Sequence, residues 1–303
     1  MTDAAAMTHR IPLPAELAAK PFLVRHALAE VGSPQRLRAA DLDRSVWGTR
    51  FVGEPTFIDS CRQFQERMPE ASFFSHETAA LLWGIPLPPM RRPYVHISLP
   101  QPARAPHARG VIGHAASVTS RELTTIGALR VTTPVRTWLD LWALPLADMV
   151  AAGDYLIHHE RVVATREQLD RALRHRVSRR GLRRLWRAIE LLSDRAESPY
   201  ETKLRVILVE TGFGILIVNE PIHDARGRFV ARPDLRIDEC KLAIEYLGDY
   251  HRDKKQWRAD ITRRTRLEAE GWRMFEVAAD DFLDPDDLVR RIRAAASLPP
   301  LFP

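Results

Sequence analysis

The spacing of apolar residues along the chain changes its period several times, and each change marks an element. Phe22 to Val31 carries apolar positions at helical intervals and is closed by Gly32-Ser33-Pro34. Gln35 to Leu42 predicts a second short helix, and Val46 to Val52 a compact extended piece. Two short helices around a tight turn, then a small strand, fit a winged helix-turn-helix whose second helix lies in the major groove. A plain three-helix packing module has the same spacing. Further on, Ser75-His76-Glu77-Thr78 opens a helix through Ala79, Leu81, Leu82 and Trp83 that leaves by Pro86-Leu87-Pro88-Pro89. Strand-like runs follow at Tyr94–Leu99, Arg109–Ala115 and Leu129–Thr132, then a helix pair over Val135–Trp142 and Ala147–His158.

From Ser198 the pattern orders itself. Ser198-Pro199-Tyr200-Glu201 combines an N-cap, a proline at the first helical position and a glutamate three after the cap, and Gly212 stops the helix. Extended runs come next at Ile215–Asn219, Arg228–Ile237 and Lys241–Leu247, then a long helix over about 253–270, a strand at Trp272–Val277 and a last helix from Asp284-Pro285. The order is αβββαβ. The fold class expected is a multidomain α+β or α/β chain: a winged helix-turn-helix over 1–60, an α+β middle region with a basic helical segment over 61–195, and a C-terminal module over 196–303.

Composition narrows the function classes. The 303 residues are 45% hydrophobic, enough for a core in each region. The greasiest stretch, Leu139 to Ile157, carries Asp140, Asp148 and Asp154, so no membrane span is expected, and the N-terminus has no signal-like apolar run. A cytoplasmic protein is the expectation. Cys61 and Cys240 stand far apart, without the spacing of a disulfide framework or a zinc site. The net charge of +6 permits a polyanionic partner. Its distribution says more: Arg161 to Arg187 holds ten arginines, with Arg179, Arg180, Arg183 and Arg184 the candidates for phosphate contact. The alternative is a solvated helical face, since Leu169, Leu173, Leu182, Leu185 and Trp186 pack on something.

The chemistry is concentrated on two strands. With a two-residue turn at Glu239-Cys240, paired residues sum to 479, and Asp234 faces Glu245. Opposed carboxylates repel unless a divalent cation sits between them, and an oxygen-donor pair suits Mg²⁺ or Mn²⁺. A slip of one residue separates the pair. On the long helix, Trp257, Asp260, Ile261, Arg264 and Leu267 fall on one stripe, placing Asp260 and Arg264 inward as an ion pair or as partners of a reacting group.

Two resemblances add to this. The run Ser75-His76-Glu77-Thr78-Ala79-Ala80-Leu81-Leu82-Trp83-Gly84, followed by Thr132-Thr133-Pro134-Val135-Arg136-Thr137-Trp138-Leu139-Asp140-Leu141, resembles the N-terminal part of actinobacterial proteins related to abortive-infection (AbiEi-type) antitoxins. That resemblance covers most of residues 20–160 and implies a winged helix ahead of a nuclease-like domain, with DNA and a toxin or antitoxin as partners. Glu201, Arg232-Pro233-Asp234-Leu235 and Ala243-Ile244-Glu245-Tyr246-Leu247-Gly248-Asp249-Tyr250-His251-Arg252 are similar to the Vsr-like branch of the PD-(D/E)XK nucleases. It implies that Asp234 and Glu245 hold Mg²⁺, that Glu201 assists, and that His251 transfers a proton near the scissile phosphate.

One position departs from the pattern: where that branch commonly has aspartate, and the superfamily often lysine, this chain has Leu247. Leucine neither binds metal nor orients water. Either Asp249 or His251 compensates, giving a Mg²⁺-dependent DNA endonuclease of defence or toxin-antitoxin type, or the chain is a DNA-binding regulator that has lost cleavage; a nuclease-fold toxin with a separate neutralising partner is the third reading. Glu201 also has a purely structural role open to it, as the fourth residue of a capping box.

Overall fold

The computed structural model describes residues 11–89, 94–248 and 254–297, with the backbone alone over 254–260. Asp249 and His251 lie outside the described residues, as does the side chain of Asp260. The chain forms two compact units: one runs to Trp83 and takes up again as far as Thr133, and the other holds Gly84–Pro89 and the chain from Pro134 onward. Both mix helices with sheets, and no described helix is long and apolar enough to cross a membrane.

The first unit begins with α1 (Ala15–Ala18), β1 (Phe22–Leu23), α2 (Val24–Val31), β2 (Leu42–Asp43) and β3 (Thr49–Val52). The three strands form one sheet in the order β1-β3-β2. The helix expected over Gln35–Leu42 is corrected to a single 3₁₀ turn, Arg36–Arg38. Its cause is local: the Arg36 guanidinium donates to both Asp41 carboxylate oxygens at 3.0 and 2.9 Å, folding the chain back before a second helical turn can form. Next come α3 (Phe57–Gln65), β4 (Phe73–Phe74), α4 (His76–Trp83), β5 (Val95–Pro100), β6 (Val111–Ala116), β7 (Leu123–Ile126) and β8 (Leu129–Thr132). Helix α3 starts at a capping box in which Thr56 and Asp59 satisfy each other's backbone N–H. The five strands order as β6-β5-β4-β8-β7, and Val46, Cys61, Phe64, Phe74, Ile97 and Val131 share one buried core.

The second unit opens with four helices, α5 (Pro134–Asp140), α6 (Leu146–Ile157), α7 (Arg166–Arg174) and α8 (Leu182–Leu191), and continues with α9 (Pro199–Glu210). Buried ionic contacts join α6 to α9: the Arg205 guanidinium donates to Asp154 Oδ2 at 2.7 Å, Thr202 Oγ1 donates to the same oxygen at 2.8 Å, and Lys203 lies 2.8 Å from Asp148. The sequence division after residue 195 therefore runs inside one compact unit.

Beyond α9 lie β9 (Ile217–Val218), β10 (Ile222–His223), β11 (Phe229–Ala231), β12 (Leu235–Ile237), β13 (Leu242–Leu247), α10 (Lys254–Ala269), β14 (Arg273–Ala278) and α11 (Pro285–Ala295). The run expected as one strand over Arg228–Ile237 is two: β11 pairs with β10, and β12 pairs with β9 and β13. Pro233, which has no N–H to give a ladder, stands between them. The main sheet orders as β14-β13-β12-β9, with β13 and β14 parallel and the other pairs antiparallel. Counting its strands alone, the succession with α9 and α10 is αβββαβ. Leu204, Leu208, Leu235, Ile244, Val277 and Ile292 fill one side of this sheet, and Ala243 and Leu267 belong to a second cluster under α10. Gly212 and Gly271 end α9 and α10 at φ +77° and +78°, the left-handed region where glycine has no Cβ penalty.

Candidate functional site

Two groups of ionisable side chains stand out, one in each unit. In the second unit β12 and β13 pair Leu235 with Ile244, Arg236 with Ala243 and Ile237 with Leu242, so every pair sums to 479. The connection is longer than a two-residue turn: Asp238–Cys240 form a 3₁₀ turn and Lys241 takes φ +48°. The sum is the same for both, so the register holds. Asp234 precedes β12 and continues the pairing with its side chain, Oδ2 accepting the Tyr246 N–H at 2.8 Å, while its carbonyl accepts from Asn219 N–H at 3.0 Å. Glu245 is buried on the strand opposite.

Glu201 is buried as well, in the first turn of α9. Ser198 caps that turn by accepting the Glu201 N–H at 3.2 Å, but the Glu201 carboxylate accepts from Glu197 N–H at 3.0 Å and from Asn219 Nδ2 at 2.7 Å. Glu201 is thus tied to the loop bearing Asn219 as well as to its own helix. Burial first, and then the charge of Glu201, push the Asp234 carboxyl up to about 6, against the opposing pull of the Tyr246 N–H and Arg263.

The face of α10 differs from the expected stripe. Ile261 is 44% exposed, and Arg264 sits at the surface 2.8 Å from Glu276. Arg263 takes the inward place instead, its Nη2 2.6 Å from Glu245 Oε2, with Leu267 fully buried one turn on. The inward line of the helix is one residue, about 100°, away from the stripe drawn through Ile261 and Arg264. Exposure of an apolar residue misled the phase, and Arg263 was missed because of it.

The basic segment divides by use. Arg184 donates to the Leu144 carbonyl at 3.0 Å, Arg166 to carbonyls at the end of α8, Arg174 pairs with Asp170, and Arg187 with Glu190 and Glu210. Arg179, Arg180 and Arg183 are exposed, with no side-chain partner among the described residues. All four arginines named for phosphate contact are exposed, and one of them, Arg184, spends its guanidinium on backbone carbonyls.

In the first unit the structure gathers three histidines that no motif announces. His76 stands where β4 passes into α4, His96 is on β5 and His114 on β6. Parallel pairing sets Ser98 opposite His114, and His96, two residues before Ser98, lies on the same face. One ring nitrogen from each of the three lies within 4.8 Å of the others. His96 Nδ1 and His114 Nε2 are 3.0 Å apart, the His76 and His114 rings stack at 3.8 Å, and Glu77 Oε2 lies 3.0 Å from His96 Nε2. Ser75 Oγ meets both His76 Nδ1 at 2.9 Å and Ser98 Oγ at 2.6 Å. Burial holds the His96 imidazole down to about 4, so that ring is neutral at pH 7, and burial with His96 nearby lowers His114.

No protein-family model matches the chain. It is 27% identical over 129 residues to two uncharacterized proteins of Mycobacterium tuberculosis, one from strain CDC 1551 / Oshkosh and one from strain ATCC 25618 / H37Rv. Those matches cover 42% of this chain and 47% of each relative, about half the relatives' length. Among solved structures it is similar to the RV2827C protein of Mycobacterium tuberculosis, with a TM-score of 0.40 and 18% identity over 69% of this chain and 86% of that one.

Proposed function

We propose that the chain is a Mg²⁺- or Mn²⁺-dependent DNA endonuclease of the PD-(D/E)XK type, preceded by a winged-helix DNA-binding region and acting in bacterial defence or a toxin-antitoxin pair. The observation that carries this is the β12–β13 register, which carried one residue past Leu235–Ile244 sets Asp234 opposite Glu245, with buried Glu201 close enough to raise the Asp234 pKa. These residues fit a hard divalent cation, because burial first and the Glu201 charge second make Asp234 hard to ionise, and a cation offsets both. Asp234 and Glu245 would hold it, and a metal there polarises a phosphoryl oxygen and lowers the pKa of an attacking water. Glu201 orients the loop around Asn219, and exposed Arg179, Arg180 and Arg183 offer the phosphate backbone unspent charge. For the first region, β2 and β3 follow α2 and pair as a wing would, but the place of the recognition helix is taken by the single 3₁₀ turn Arg36–Arg38, so the winged-helix reading rests on the wing alone.

A second reading, a DNA-binding regulator without cleavage, is favoured by two specific features. Leu247 supplies no ligand, and the Arg263 guanidinium already stands on Glu245 where a cation would approach. One experiment separates the two: incubate the full chain with supercoiled DNA and Mg²⁺ or Mn²⁺, and measure binding by gel shift in parallel. Nicking that falls to background in Asp234→Ala and Glu245→Ala carries the enzyme, and Leu247→Asp should raise it. DNA bound but uncut under every cation, with cleavage gained in Leu247→Asp, carries the regulator. Neither binding nor cleavage sinks both.

A further inference from the structure

We infer that His76, His96 and His114 form a binding site for a late first-row divalent cation, Zn²⁺ in the first place, with Glu77 as the carboxylate that positions His96. Tetrahedral coordination at Zn–N of about 2.0–2.1 Å sets ligand nitrogens about 3.3 Å apart. The His96 and His114 nitrogens are already 3.0 Å apart and the third lies within 4.8 Å, so the closure needed is at most about 1.5 Å; the three rings stack nearly parallel in the metal-free protein, and binding turns them so that their lone pairs converge on the cation. Imidazole donors suit zinc, nickel and copper rather than magnesium, which separates this site in kind from the carboxylates of the second unit.

The surroundings supply partners for the ring nitrogens that face away from the cation. Metal-binding histidines ordinarily turn their other ring nitrogen to a carboxylate, and Glu77 occupies that position behind His96. Ser98, Ser75 and His76 form a chain of polar contacts that fixes the third ring from the opposite strand. His76 also takes φ +51°, a left-handed conformation uncommon for a residue with a side chain, at the joint between β4 and α4. The three ligands come from a helix start and two neighbouring strands, so a bound cation ties α4 to the β5–β6 pair. Partial exposure of all three histidines leaves the cation a way in and a fourth position for water.

The test uses tag-free full-length chain carrying Asp234→Ala, which removes the competing carboxylate site, after treatment with a chelator. Zn²⁺ uptake is measured by competition with a chromophoric chelator, and Co²⁺ is added separately to read the visible spectrum. One Zn²⁺ per chain is expected, with the strong visible absorption of four-coordinate cobalt. His96→Gln and His114→Gln should each weaken binding at least tenfold, and Glu77→Gln by about tenfold, the effect of losing a carboxylate behind a ligating histidine. His175→Ala, an exposed histidine outside the group, serves as the control and should change nothing. No stoichiometric uptake, or uptake unaltered in both His96→Gln and His114→Gln, overturns the site. If those variants do not fold, the cobalt spectrum of the parent decides: a pale six-coordinate spectrum overturns the inference as surely as none.

Discussion

The carboxylate group of the second unit lies on the two inner strands of its sheet, the histidine group of the first at the β6 edge of its own, and they are built in opposite ways. Asp234 and Glu245 flank a strand pair joined by a four-residue connection, so the β12–β13 register, carried one residue past Leu235 and Ile244, is enough to set them opposite. The histidines come from three places separated by 20 and 18 residues, and they meet only because β5 and β6 pair in parallel next to β4. Their electrostatics are opposed too: burial and then like charge raise Asp234, whereas burial alone lowers His96. A hard oxygen-donor site and a neutral nitrogen-donor site therefore call for different cations within one chain.

The largest effect that tests this contrast concerns what keeps the second unit together. Arg205→Ala removes the buried guanidinium from Asp154 and should lower unfolding stability by about 3–5 kcal/mol in urea titrations, the usual cost of leaving one member of a buried pair alone. The same pair gives a pH signature. Burial, opposed by Arg205, pushes the Asp154 carboxyl from 3.8 up to about 6. Its folded pKa lies above the unfolded value, so its contribution is fully present below about pH 4 and is lost as pH rises through about 6. Arg205→Ala should deepen that loss and carry it to higher pH, because Arg205 is what holds the Asp154 carboxyl down; stability that is flat with pH in the variant would contradict it.

Smaller, and aimed at the carboxylates themselves, is Arg263→Gln. Taking the guanidinium from Glu245 should destabilise the metal-free protein by about 1–3 kcal/mol, the range for removing one partner from a buried charged group. Mg²⁺ should restore more stability in the variant than it adds to the parent, because the cation and Arg263 compete for one carboxylate. A melting temperature that responds equally to Mg²⁺ in both proteins would show that Arg263 and the cation do not share the site.

The contrast also explains what could be read in the sequence. The register of β12 and β13 was legible because residue sums survive a change in turn length: Asp238–Lys241 replaced a tighter turn without shifting Asp234 from Glu245. Helix starts at Ser198 and Asp284 were legible from their caps, and Thr56 with Asp59 shows that the same signal was present at α3 and passed over. Pro233 was the available sign that Arg228–Ile237 is two strands. The phase of α10 was not legible, since exposed Ile261 and buried Leu267 look alike as letters. Nor was the histidine group: strand order in a mixed sheet is a tertiary fact, and positions 76, 96 and 114 carry no short-range spacing that announces a site.

The smallest effect links the two regions through their cysteines, one in each unit. Cys61 is fully buried, and burial pushes its thiol up to about 12, so it should resist a thiol reagent in the native protein; Cys240, half-buried in the β12–β13 connection, should react first. Labelling of Cys61 then requires opening of the first unit, whose core it shares with Phe74 and Ile97. A cation bound to the folded unit alone slows that opening reaction by the factor 1 + [L]/Kd, about tenfold when free Zn²⁺ is ten times its Kd. Mg²⁺ should leave Cys61 labelling unchanged. Zinc also binds thiols directly, and the His114→Gln variant separates the two causes: protection by direct thiol binding would persist there, whereas protection through the histidine group would vanish. Persistence would assign the zinc effect to Cys61 itself and leave the two regions differing in their charges but not in the cations they select.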